Sequence, residues 1–158
     1  MKRLPPPLIM LAAGAVQRAL PARDRSALRS AVAGGLVAAS GALAGSTLRA
    51  FRRKGTTVEP FHPGQASTLV TTGSNSVSRN PMYVGLVGLL VAHAVHRGSW
   101  SALLPVAAFV AVVDGYQVRF EERALREKFG AAYDAYCERV PRWLDGRSLR
   151  ALRDLAAR

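Results

Sequence analysis

The sequence predicts an all-α polytopic membrane protein, with about four transmembrane helices and a C-terminal amphipathic helical segment. Three observations predict it. Long uncharged runs alternate with short cationic clusters, in a chain that is 49% hydrophobic and 20% charged. The runs approach the length that a bilayer core requires. The 22 Lys and Arg, against 10 Asp and Glu, give a net charge of +12, and they gather at the ends of the runs, where membrane proteins carry cations. A chain of 158 residues is read as one domain, residues 1–158.

The first span covers about 4–20. Three prolines open it, where a first helical turn tolerates them, and it reaches Leu20 if Arg18 snorkels to the interface. A basic start, a short apolar run and Ala13-Gly14-Ala15 also fit a secretory leader. A polar connector with Arg18, Arg23, Arg25 and Arg29 leads to the second span, 30–48, nineteen residues without a charge. Gly34, Gly35, Ala38, Gly41 and Gly45 recur along it at near-helical spacing. In lipid, such small residues let helix backbones approach closely. Arg49, Arg52, Arg53 and Lys54 then form a basic cluster, followed by a proline-bearing loop.

Ser67 to Gly85 is polar and turn-rich, punctuated by Gly73 and Pro81. It has little to pack with, so it is either a floppy loop or a binding loop. The third span, 81–96, starts at Pro81 and ends at His93 and His96. These two histidines can share a metal only with a third ligand, and none lies nearby, so interfacial or packing roles are expected. Arg97-Gly98-Ser99 is a tight turn, which implies an antiparallel helix hairpin. Trp100 anchors the fourth span, 100–118, which contains Pro105 and the intramembrane acid Asp114. An acid inside a span is a functional candidate, and Arg119 is close enough in sequence for an interfacial ion pair.

From Arg119 the tail, 119–158, is helical and expected on the cytoplasmic side. Leu125, Phe129, Tyr133, Tyr136 and Val140 make an apolar stripe at helical spacing. Gly130 kinks or divides the helix, Pro141 ends it, and Ser148 to Arg158 reads as a short basic tail. With four spans and both termini inside, seventeen cations fall on the cytoplasmic side and five on the other, as the positive-inside rule requires. The polar loop and Glu121-Glu122 then share the cytoplasmic side. On their own, those two acids are equally a solvated pair in a helix's first turn, where the macrodipole favours them.

The basic balance implies an anionic partner. Because the cations track span ends and form no single helical face, that partner is the lipid bilayer and not nucleic acid; a basic nucleic-acid-binding protein is the remote alternative. The single cysteine, Cys137, excludes an internal disulfide and an all-cysteine metal site, and no metal is expected.

Arg79-Asn80-Pro81-Met82-Tyr83-Val84-Gly85, followed by Glu121-Glu122, Phe129-Gly130, Tyr133, Tyr136 and Arg139-Val140-Pro141, resembles the isoprenylcysteine carboxyl methyltransferase and phospholipid methyltransferase superfamily. The run from Phe51 to Phe61 resembles its bacterial branch. The resemblance covers the C-terminal two thirds of the chain and implies a small integral membrane enzyme, expected in a bacterial inner membrane. Its cofactor would be S-adenosylmethionine, and its acceptor lipophilic: a carboxylate, as in isoprenylcysteine carboxyl methylation, or a lipid amine. On matching positions it implies cofactor binding by Ser67, Thr68, Leu69, Val70, Asn80, Pro81, Met82, Tyr83 and Glu121, with Glu122 as the second acid of the pair.

Backbone donors around Gly73 suit the cofactor's carboxylate. Arg79 and Arg119 are the candidates for orienting an anionic acceptor. The chain departs from the pattern at Ser74-Asn75-Ser76, where relatives often have Pro-Tyr-Arg, and at Asn80, where histidine is common. A non-catalytic membrane scaffold of the same fold is therefore the alternative to an enzyme.

Overall fold

The computed structural model describes residues 4–24, 26–53 and 68–157. Among them the regular structure is helical: α1 (Pro6–Ala19), α2 (Ala27–Arg53), α3 (Pro81–Arg97), α4 (Leu103–Val112), α5 (Arg119–Phe129), α6 (Ala131–Arg139) and α7 (Gly146–Ala156). The chain divides into two compact units, one made of residues 1–42 and 85–117 and the other of 43–84 and 118–158.

Each expected apolar run is a helix, with shifted ends. Proline opens α1 and α3, as its fixed φ and missing N–H allow. α2 runs past the uncharged stretch to Arg53, carrying Arg49, Arg52 and Arg53 as its last turns. There the cations complement the exposed carbonyls of the helix end. Among the described residues, two helices are long and apolar enough to cross a membrane, Ala27–Ala50 and Leu103–Phe129. α1 and α3 have 14 and 17 residues, or about 21 and 26 Å of rise, shorter than a bilayer core of about 30 Å.

The fourth run differs most from expectation. The helical backbone does not stop at Arg119 but continues from α4 through a π-helical turn, Val113–Val118, into α5. Asp114 and Gly115 lie in that wider turn. Gly130, with φ 51°, then separates α5 from α6. Beyond Pro141, the last part of the expected helical tail is a separate capped helix, α7.

In the first unit, polar groups are satisfied inside the helix packing. Gln17 is completely buried. Its amide donates to the carbonyls of Leu90 and Ala102 at 3.0 and 2.8 Å, and its oxygen lies 2.8 Å from His93 Nδ1. His93 is thus a packing histidine, and His96 lies 3.3 Å from Ser30 Oγ. The expected glycine contacts of α2 are corrected here. A Cβ at Gly34, Gly35 or Gly41 would meet nothing within 4 Å, whereas one at Gly88 would collide with Ser40. The close approach therefore depends on α3's glycine.

The second unit is built on the predicted aromatic stripe. Tyr133, Tyr136 and Val140 form its core, with Leu69, Leu125, Phe129 and Cys137 packed against them. The two tyrosine rings meet edge-on, centroids 6.1 Å apart, the arrangement their quadrupoles favour.

Candidate active site

Among its described residues the polar stretch folds as an ordered strap. Gly73, at φ 64°, opens a short 3₁₀ turn, Gly73–Ser76. This left-handed backbone suits glycine. Side chains then fasten the turn from several directions. Thr47 Oγ1 and Ser74 Oγ are 2.8 Å apart, Tyr136 donates its hydroxyl to the Asn75 carbonyl at 2.7 Å, and Ser148 donates to the Val77 carbonyl at 2.7 Å. Arg79 N–H donates to the Pro141 carbonyl at 2.9 Å. Ser78 Oγ and Asn80 Nδ2 both donate to the Arg142 carbonyl at 3.0 Å. Each bond satisfies a group that the turn would otherwise strand away from water.

Glu122 is buried and held by two arginines. Arg79 donates to its Oε1 at 2.7 Å, while Arg142 donates to Oε1 at 3.0 Å and to Oε2 at 2.5 Å. Burial pushes this carboxyl's pKa up, but the hydrogen bonds and charges of the two guanidiniums outweigh it and hold the group below its ordinary value. The other amino group of Arg79 donates to the carbonyls of Cys137 and Val140 at 3.2 and 2.8 Å. This guanidinium is therefore engaged by the protein on both arms.

Glu121 faces different surroundings. Its Oε1 accepts the Tyr83 hydroxyl at 2.6 Å, the short distance of a charge-assisted bond. The bond joins residues 38 apart in sequence, one from the first turn of α3 and one from the first turn of α5.

The remaining expected positions are dispersed. Val70 and Pro81 are buried, Leu69 is half-buried on the aromatic core, and Thr68, Met82 and Arg119 are exposed. Ser67 lies outside the described residues, as does the loop from Lys54 to Gly64. Asn80 is turned to Arg142, and Asp114 is half-buried in the π-helical turn. No group of three or more His, Cys, Asp or Glu among the described residues can hold a metal.

Sequence reasoning passed over Arg142, and it singled out Asn75 only as a departure from the family pattern. Arg142 directly follows the Arg139-Val140-Pro141 motif, but its partner is 20 residues upstream, beyond any local pattern. Asn75 is buried, and its Nδ2 has no hydrogen-bond partner. An orphaned buried donor calls for an explanation.

The family model for phospholipid methyltransferase matches residues 28–132. An uncharacterized protein of Haemophilus influenzae is similar to this chain, 38% identical over 63 residues, which are 40% of this chain and all of that protein. No solved structure matches.

Proposed function

The chain belongs to the phospholipid methyltransferase family, and from that premise we propose that it is an integral membrane, S-adenosylmethionine-dependent methyltransferase acting on a lipophilic acceptor. The observation that carries this reading is the 2.6 Å bond between Tyr83 and Glu121. It sets an anionic acceptor beside a phenol, next to the seated loop.

The donor set fits the cofactor. S-adenosylmethionine carries an ammonium and a carboxylate at one end, ribose hydroxyls and adenine at the other. Glu121 would accept from the ammonium or a ribose hydroxyl. Tyr83 would fix the rotamer of that carboxylate and offer its ring as an apolar wall. The unpartnered Asn75 Nδ2 would donate to the cofactor's carboxylate or to an adenine nitrogen, replacing a stacking contact by a hydrogen bond. The peptide groups around Gly73 would add donors. When bound, the cofactor supplies an electrophilic methyl on a sulfonium.

The chain's own contribution is orientation and exclusion of water, which can supply most of the acceleration of such a displacement. Arg79 and Glu122 brace the loop as positioning residues, with Arg142 as the third member. Arg119, exposed at the start of α5, would hold an acidic group of the acceptor. A carboxylate acceptor needs no general base. An amine acceptor sheds a proton, and Glu121 would take it.

The remainder of the reading is a four-span topology, with α1 and α3 as short spans accommodated by local thinning of the bilayer. Both termini and the site would face the cytoplasm of a bacterial inner membrane, as the cation bias suggests. The experiment is transfer of labelled methyl from S-adenosylmethionine to bacterial lipid extracts by the purified chain in lipid nanodiscs. Label in the organic-soluble fraction supports the enzyme. Saturable cofactor binding without transfer to any lipid class points to the scaffold alternative.

A further inference from the structure

We propose that α7 docks its apolar face on an anionic lipid surface and thereby ties the loop of the candidate site to the membrane. The inference rests on the membrane reading above. Leu149, Leu152 and Leu155 recur every third residue of α7, so they share one face, and they are 62%, 47% and 38% exposed. Leu144, just ahead of the helix, is 57% exposed. A contiguous apolar face left open in this way marks an interaction surface. Arg150 and Arg153 are exposed on the rest of the helix, where long cationic side chains reach lipid phosphates while leucines enter the acyl boundary.

Charge selects the occupant. α7 carries exposed Arg150 and Arg153 against the single exposed acid Asp154, a net positive balance that complements an anionic surface better than a second copy of itself. An anionic headgroup layer attracts each arginine near it by about a fivefold gain in association.

The helix is prefolded for docking. Asp145 accepts from Arg147 N–H at 2.8 Å, and Asp145 N–H donates to Ser148 Oγ at 3.1 Å, a reciprocal cap. Its first turn also grips the rest of the second unit, through Ser148 to the Val77 carbonyl at 2.7 Å and Arg147 to the Glu138 carbonyl at 2.8 Å. Lipid contact at α7 therefore bears directly on the strap that carries Asn75 and Asn80.

The test uses the full chain in nanodiscs, with Cys137→Ser and an environment-sensitive fluorophore on Leu152→Cys, or on Leu155→Cys if the first variant misfolds. A second reporter on Val37→Cys, in the candidate span, serves as control. The α7 reporter is expected to shift to the blue as phosphatidylglycerol replaces phosphatidylcholine. Arg150→Gln with Arg153→Gln should lower the docked-to-undocked ratio about 30-fold. Water-like emission from α7 in anionic discs, while Val37→Cys reports lipid, overturns the anchor alone. Water-like emission from both overturns the membrane reading as well. A shift seen only when a disc holds two copies overturns the lipid occupant in favour of self-association.

Discussion

Glu121 and Glu122 are neighbours in sequence, yet one step of about 100° around the helix gives them different work. Glu122→Gln leaves two arginines facing a neutral amide in a buried place. Loss of one partner of a buried ion pair destabilises by about 3 kcal/mol, so this variant should unfold at lower denaturant while retaining cofactor affinity in whatever fraction stays folded. Glu121→Gln should do the reverse, with unchanged stability and cofactor binding weakened about tenfold or more.

Acid should dismantle the brace in a defined window. The native carboxyl of Glu122 lies below its ordinary value, so its stabilisation is complete above the unfolded value of about 4.3. It is lost as pH falls through the depressed native value. Near-ultraviolet circular dichroism of the acid transition checks this, and Glu122→Gln should make the profile flatter. In alkali, burial holds the Tyr133 and Tyr136 phenols above their ordinary range, for Tyr133 with help from the charge of Glu122. Absorbance titration should therefore show neither ionising near pH ~10 while the fold persists. The paired acids were legible in the sequence as a pair only. Which of them meets a guanidinium depends on Arg142, and an arginine after a proline gives no local sign of its partner.

At the scale of elements, Gly130 was legible, and α7 was legible only as part of a helical tail. A glycine between two halves of an aromatic stripe signals a break, and its φ of 51° with ψ of −128° is backbone that other residues adopt only under strain. A Cβ there would meet nothing within 4 Å, so Gly130→Ala tests backbone strain alone. It should destabilise by about 1–2 kcal/mol, read as a lower midpoint in thermal unfolding.

The apolar face of α7 was hidden because its arginines dominate the composition of the tail, while its leucines show only when plotted around a helix. Ser148→Ala removes one arm of the reciprocal cap and the bond to Val77 together and should cost about 1 kcal/mol or more. The continuation of α4 into α5 was hidden for a related reason. Arg119 ends the apolar phase, and hydropathy reports the end of an apolar run, not the end of a helix. The glycines of α2 misled in the opposite direction, since small residues permit close packing without requiring it.

For the molecule as a whole, segregation of apolar runs from cations made the helical architecture legible, because bilayer length and charge act over whole segments. The candidate site was proposed from the sequence through resemblance. Its parts lie in two stretches about forty residues apart, and no period or composition links the Tyr83 region to Glu121. The membrane reading predicts that the chain resists extraction by high salt and by alkaline carbonate and is released by detergent, as followed by fractionation; release by salt would point to a peripheral protein.

The most direct measurement is calorimetric titration of S-adenosylmethionine into the detergent-purified chain and its Glu121→Gln variant. The account predicts saturable binding to the parent chain and at least about tenfold weaker binding to the variant. Absence of binding to the folded parent chain, or equal affinity in both, would contradict it.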